Sequence, residues 1–170
     1  MLFRSALKAA QETLERFPNL ARSHFEVAAR LHTMGRFTDA QPHLEQALAL
    51  DPGFAEAQAM LGEVLLRQGR AEDSLQRYRL ALEQRPNLIE AHLGLGKVLL
   101  QLKRYDEVVV EMQKAVRLDP DSAQPYLYLS QAYRALGRTE DARRESKTFT
   151  RLNRLRMERR DREVERIYAT

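Results

Sequence analysis

The chain has 170 residues, 28 Lys/Arg against 24 Asp/Glu, and no cysteine. That suits one domain and excludes a disulfide framework and thiolate chemistry. No apolar run reaches the roughly 18 residues of a membrane-spanning helix, and Arg4 and Lys8 interrupt the N-terminal stretch, which does not read as a signal peptide. Lack of cysteine fits the cytosol and an oxidising compartment equally. The cytoplasm is slightly favoured, and the preference for arginine over lysine points to a GC-rich bacterial genome.

Residues 2–16 are predicted to form one helix that ends before Pro18. Phe3, Ala6, Ala10 and Leu14 occupy slots that recur later, since stepping Ala40 and Leu44 back by 34 residues gives Ala6 and Ala10. Segment 1–17 is therefore half of a repeated unit. It is either a capping helix or a fragment of a longer array, and in the second case its open face could pair with another chain. The period is plain at the prolines: Pro18, Pro52, Pro86 and Pro120 stand 34 residues apart. Small residues keep the same step at Ala40, Ser74, Val108 and Ala142, at Ala47, Ala81 and Ala115, and at Ala28, Gly62, Gly96 and Ser130. Gly35, Gly69 and Gly137 mark a turn inside each unit, with Lys103 in the third copy. A period of this length signals stacked helix pairs, each burying one face against its neighbours.

The predicted helices follow in order: about 21–34 and 38–50, 55–68 and 72–84, 89–102 and 106–118. Thr38 with Gln41 has the spacing of a capping box, Asp106 and Thr139 are candidate N-caps, and Pro42 falls near the first turn of its helix, where a missing N–H is tolerated. Asp51-Pro52 and Asp119-Pro120 end helices, because the residue before proline is pushed out of the α region. Gly62 and Gly96 are expected to let helix backbones approach, with Leu61, Leu65, Tyr78 and Leu82 filling the space between. After Gly137 no proline intervenes, so a helix is expected from about 140 towards Ile167. Residues 143–170 hold ten Lys/Arg and five Asp/Glu. The whole chain is +4, so the basic balance belongs to this tail. Arg154 with Glu158, Glu158 with Arg162, Arg159 with Glu163 and Arg162 with Glu165 are spaced to pair along it. Phe149, Leu152 and Leu155 form its packing stripe, and Val164, Ile167 and Tyr168 are left for a dimer contact.

The pattern Gly62, Leu65, Gly69, Ser74, Tyr78, Ala81 and Pro86 resembles the tetratricopeptide repeat. Three full copies match (18–54, 55–88 and 89–122), followed by a degenerate fourth with a basic capping helix at 123–170. The family's large aromatic near the start of each unit is replaced by His24, Gln58 and His92 and restored by Tyr126. The resemblance implies an all-α fold, a right-handed α-solenoid of antiparallel helix pairs whose first helices line a concave groove. It places inward Arg22, Phe25, Ala29 and His32; Glu56, Ala59, Glu63, Leu66 and Arg67; Glu90, Leu93, Lys97, Leu100 and Gln101; and Gln124, Leu127, Gln131 and Arg134. Phe25, Ala59, Leu66, Leu93, Leu100 and Leu127 would make an apolar strip, of the kind that marks interaction sites unless neighbouring helices cover it. The clamp by which relatives hold the terminal carboxylates of heat-shock chaperones is absent. Phe25, Ala29, Ala59 and Glu63 stand where its polar residues would be, and only Lys97 fits.

No catalytic constellation is evident. His24 and His92 share one repeat slot and read as packing residues, His43 as an exposed one. His32 faces the groove without a second ligand a turn away, so no metal is expected. Gly94 and Gly96 follow no strand and read as helix packing rather than a phosphate loop, and no cofactor is implied. The expectation is a non-catalytic scaffold binding a peptide or partner protein. The alternatives are a structural or self-associating segment that dimerises through its terminal helices, and tail-mediated contact with nucleic acid or anionic membrane, which the interspersed acids disfavour.

Overall fold

The structure is a computed structural model that describes residues 2–168, with side-chain surroundings from 5 to 167. The side chains of Phe3 and Tyr168 lie outside that range. Nine helices and no strand occur among the described residues: α1 Leu2–Arg16, α2 Ala21–Thr33, α3 Phe37–Leu50, α4 Ala55–Arg67, α5 Ala71–Gln84, α6 Ile89–Gln101, α7 Tyr105–Leu118, α8 Gln124–Ala135 and α9 Thr139–Tyr168. They match the predicted helices to within a residue or so at each end.

The chain forms two compact units, Met1–Val98 and Leu99–Thr170. In the first, α1 packs on α2, α2 on α3, α3 on α4 and α4 on α5. Its core takes Val27, Ala28 and Leu31 from α2, Ala40, Leu44 and Ala47 from α3, Leu61 and Val64 from α4, and Leu75, Tyr78 and Ala81 from α5. In the second, α7 packs on α8 and α8 on α9 around Val108, Met112, Ala115, Leu129, Ala132, Tyr133 and Ala142. The recurring small residues are all buried between packed helices. Ser74 does more than stay small, since its hydroxyl donates to the Gly62 carbonyl at 2.6 Å and ties α5 to α4.

One device, repeated four times, makes the turn within each pair. Gly35, Gly69 and Gly137 take φ of +73, +80 and +75°. The arginine that follows sends its N–H back five residues, from Arg36 to Leu31, Arg70 to Leu65, Arg104 to Leu99 and Arg138 to Tyr133, the closure that ends a helix with a left-handed residue. The same arginines begin the next helix, and their side chains reach the acid three residues on. Arg36 donates to Asp39 at 2.6 Å, Arg70 to Asp73 at 2.7 Å, Arg104 to Glu107 at 2.8 Å and Arg138 to Asp141 at 2.8 Å.

This arrangement replaces the expected caps. Thr38, Asp106 and Thr139 all lie inside their helices rather than at N-cap. The N-cap positions of α3 and α7 are Arg36 and Arg104, neither of which makes a side-chain cap bond. Gln41 spends its amide on Glu45 and accepts from Gln68, just past the end of α4, so the capping box does not form. Pro42 is the sixth residue of α3, deeper than expected.

Lys103 keeps the turn at φ +59° without being glycine. A side chain in that region costs about 1–2 kcal/mol, partly offset by the larger backbone entropy that glycine loses on folding. Lys103→Gly is therefore expected to raise stability by a few tenths to about 1 kcal/mol, read as a higher denaturation midpoint. A lower midpoint would mean that the lysine side chain holds the turn.

The junctions between pairs share a second device. The side chain in the missing-aromatic slot reaches back six residues to the proline carbonyl: His24 Nε2 to Pro18 at 3.0 Å, Gln58 Nε2 to Pro52 at 3.4 Å, His92 Nε2 to Pro86 at 2.9 Å, and the Tyr126 hydroxyl to Pro120 at 3.2 Å. Three residue types at four positions thus satisfy the same backbone group, which is why the slot tolerates losing its aromatic.

Candidate functional site: a groove on the first helices

In the first unit α2, α4 and the start of α6 bound an open groove of about 480 Å³. Its floor is apolar, from Phe25, Ala59, Met60, Leu88 and the ring of Tyr78, and its rim carries Glu56, Glu63, Arg85 and Glu90. Phe25 is fixed by its neighbours: its ring stands 4.8 Å from that of Phe54, and the Arg22 guanidinium lies 5.4 Å over its face. Arg85 reaches from beyond α5 to pair with Glu56.

A second cluster stands at Glu63. His32 Nε2 of α2 lies 3.1 Å from its carboxylate, an oblique contact rather than a straight hydrogen bond, and Arg67 approaches at 3.4 Å from one turn along α4. Phe37 backs both side chains, with His32 edge-on at 5.1 Å between ring centres and Arg67 at 5.3 Å over the ring. The His32 contact, more than Arg67, holds the Glu63 carboxyl below its ordinary range despite the opposing effect of burial. Glu63 therefore stays ionised at neutral pH.

Of the residues the sequence placed inward, the structure brings Phe25, Glu56, Ala59, Glu63 and Glu90 to this one groove, with His32 and Arg67 attached to it through Glu63. Ala29 is half-buried on α2, Leu93 is half-buried and Lys97 exposed on α6. The continuous apolar strip is not open. Ala59 and Leu66 are only 8 % and 7 % exposed, because helix packing covers them. In the second unit Leu100 and Leu127 are half-buried, while Gln101, Gln131 and Arg134 are exposed. The expectation did not include Met60, Leu88 or Arg85, which lie off the inward positions of the first helices.

His43 is also corrected. It is half-buried, not exposed, and its ring centre is 5.8 Å from that of His24. Burial first, and His24 second, push its pKa below the ordinary imidazole value of 6.5. The folded chain thus takes up this proton less readily than the unfolded chain, so stability is full above pH ~6.5 and falls as the pH drops through the imidazole range. Thermal melts of His43→Gln between pH 7.5 and 5 should lose that part of the slope. An unchanged slope would assign it elsewhere.

Among the described residues no set of three or more His, Cys, Asp or Glu side chains could hold a metal ion, and no helix is long and apolar enough to cross a membrane. The profile of the tetratricopeptide repeat family matches residues 31–87, 65–111 and 99–169. Comparison with curated sequences gives no match. Among solved structures, the crystal structure of MamA is similar at a TM-score of 0.81 and 20% identity, over 92% of this chain and 91% of that one. MamA 41-end from Desulfovibrio magneticus RS-1 is similar at 0.74 and 22%, over 92% and 86%. YrrB, described as a TPR protein with an unusual peptide-binding site, gives 0.74 and 20%, over 88% and 77%. At these identities the likeness shows the all-α helical-repeat fold.

Proposed function

The chain belongs to the tetratricopeptide repeat family, and we propose that it acts without catalysis, as a scaffold that holds a peptide or partner segment in the groove of its first unit. The observation that carries this reading is the combination of an apolar floor with a rim of carboxylates that are themselves held in place. Ligand sites are concave and mostly apolar, with a few fixed polar groups that set orientation. Here Phe25 and Met60 are the apolar anchors. Glu56 and Glu63 are fixed by Arg85 and by His32 with Arg67, while the exposed Glu90 stands at the rim. An apolar side chain entering between α2 and α4, with a cation beside it, is the ligand that this surface suits. YrrB lends the reading some weight, since a protein of the same fold is described as having a peptide-binding site.

The test is selection of a displayed random-peptide library on the full chain, followed by affinity measurements on Met60→Lys. Met60 is half-buried at the groove, and a lysine there can run its stem along the floor and lift its charge to water without unfolding the unit. Selected peptides are expected to lose about tenfold or more in affinity, roughly what truncating one interface anchor costs, with helicity retained. Peptides that bind the variant equally well would overturn the reading.

Self-association is the second reading. It is favoured by Met157 and Val164 on the last turns of α9, which are 49 % and 45 % exposed. It requires a mass in sedimentation that rises with concentration and returns to monomer in Met157→Glu/Val164→Glu. A monomer at every concentration would dispose of it.

A further inference from the structure

The second unit carries a surface that the groove reading does not use. Steps of three and four residues put Arg143, Lys147, Arg151 and Arg154 on one face of α9. Arg134 of α8 lines the same trough, about 340 Å³ in volume, as Arg143 and Lys147. A second trough of about 360 Å³ continues along α9 between Lys147 and Arg154 and shares Ser146 and Lys147 with the first. No carboxylate lines either one. The acids nearby are engaged around the edges: Asp141 with Arg138 and Arg144, Glu145 with Arg144, and Glu140 and Glu158 with the end residues Arg143 and Arg154. Among the described residues Arg134, Lys147 and Arg151 form no ion pair. Three cations thus face solvent along a channel from which acids are missing.

We propose that this face is a docking site for an extended acidic peptide segment, with Arg134, Lys147 and Arg151 as its carboxylate partners. Residues four apart on a helix rise about 6 Å, and alternate residues of an extended chain advance about 6.7 Å. A peptide with acids at alternate positions, laid along α9, therefore sets successive carboxylates opposite Lys147 and Arg151, with Arg134 lining the same trough as Lys147, and the long side chains absorb the small slip. The Thr150 hydroxyl donates to the Ser146 carbonyl at 3.0 Å, which leaves its lone pairs to accept from a peptide N–H. A single-stranded nucleic acid would need aromatic platforms for its bases, and the one ring in this stretch, Phe149, is half-buried on the packing stripe. A membrane surface would need apolar side chains beside the cations, and between Arg143 and Arg154 this face offers Ser146 and Thr150 instead.

The experiment is fluorescence anisotropy of a labelled dodecapeptide of alternating glutamate and serine, with the full chain and with Lys147→Glu/Arg151→Glu. Both positions are exposed, and circular dichroism reports whether the helix is kept; Lys147→Gln/Arg151→Gln serves if it is not. Saturable binding at low salt is expected, weakened about tenfold or more by the charge reversal, by a glutamine-for-glutamate peptide and by raised salt. Equal affinity of either variant for the glutamate peptide would overturn the proposal. So would an absence of saturable binding at low salt, or an oligouridylate twelve nucleotides long that binds more tightly than the peptide.

Discussion

Replacing Tyr78 by alanine is expected to remove about 3–5 kcal/mol from the first unit, the range for deleting a large buried aromatic. The ring is 4 % exposed and sits between two glycines on different helices. A Cβ built on Gly62 of α4 would lie 3.1 Å from the ring, and one built on Gly94 of α6 would lie 2.2 Å from it. Glycine at both positions leaves neither Gly62 nor Gly94 a side chain to fill the space that alanine would leave. Helix backbones would have to move instead, and partial collapse of this kind leaves much of the cavity term in place. Tyr78 also forms part of the groove floor, so stability and peptide affinity should fall together. Urea denaturation followed by circular dichroism measures the first. A loss under about 1 kcal/mol would mean that the ring is not the wedge between α4 and α6.

The fold was legible because its causes recur. Pro18, Pro52, Pro86 and Pro120, with the glycines of the turns, state the period four times over, and apart from α6, which ends at Lys103, and the last helix, each helix ends beside one of them. The groove was only half legible. Positions that repeat, such as Phe25, Ala59 and Glu63, could be stepped from copy to copy. Those that make this groove particular do not repeat: Met60 has Gly94 and Tyr128 as its equivalents, and Arg85 has Asp51 and Asp119. Burial of Ala59 and Leu66 was hidden for another reason. A first helix has a face toward the groove and faces toward two neighbours, and residues on the boundary are assigned by side-chain volume across the gap rather than by period. The arginine ladder at Arg36, Arg70, Arg104 and Arg138 was fully periodic and still missed, because an Arg-x-x-acid pair looks like ordinary surface charge until the turn geometry gives it a task. Its acids, Asp39, Asp73, Glu107 and Asp141, carried the same signal.

Gly94→Ala should destabilise the first unit, against the usual sign for a glycine in a helix. Alanine in a helix interior is favoured over glycine by about 1 kcal/mol, and an unconstrained site would show that gain. Here the new methyl would meet Tyr78 Cζ, Cε1 and the hydroxyl oxygen at 2.2, 2.3 and 2.5 Å. The ring has little room to retreat, since the atoms of its other edge, Cδ2 and Cε2, already lie against Gly62 on α4. Overpacking of this kind costs about 1–3 kcal/mol, enough to outweigh the propensity gain. Gly94 is off the repeat, and the Tyr78 ring supplies the reason for it: α6 gives up a side chain where the ring from α5 passes. The pair of residues therefore makes a sharper test than either alone. In a Tyr78→Ala background the clash is gone, the cavity accepts the methyl, and Gly94→Ala should become stabilising. The double variant should then be more stable than Tyr78→Ala, with a coupling between the two sites of about 1–3 kcal/mol. Additive losses would show that Gly94 answers to something other than this ring.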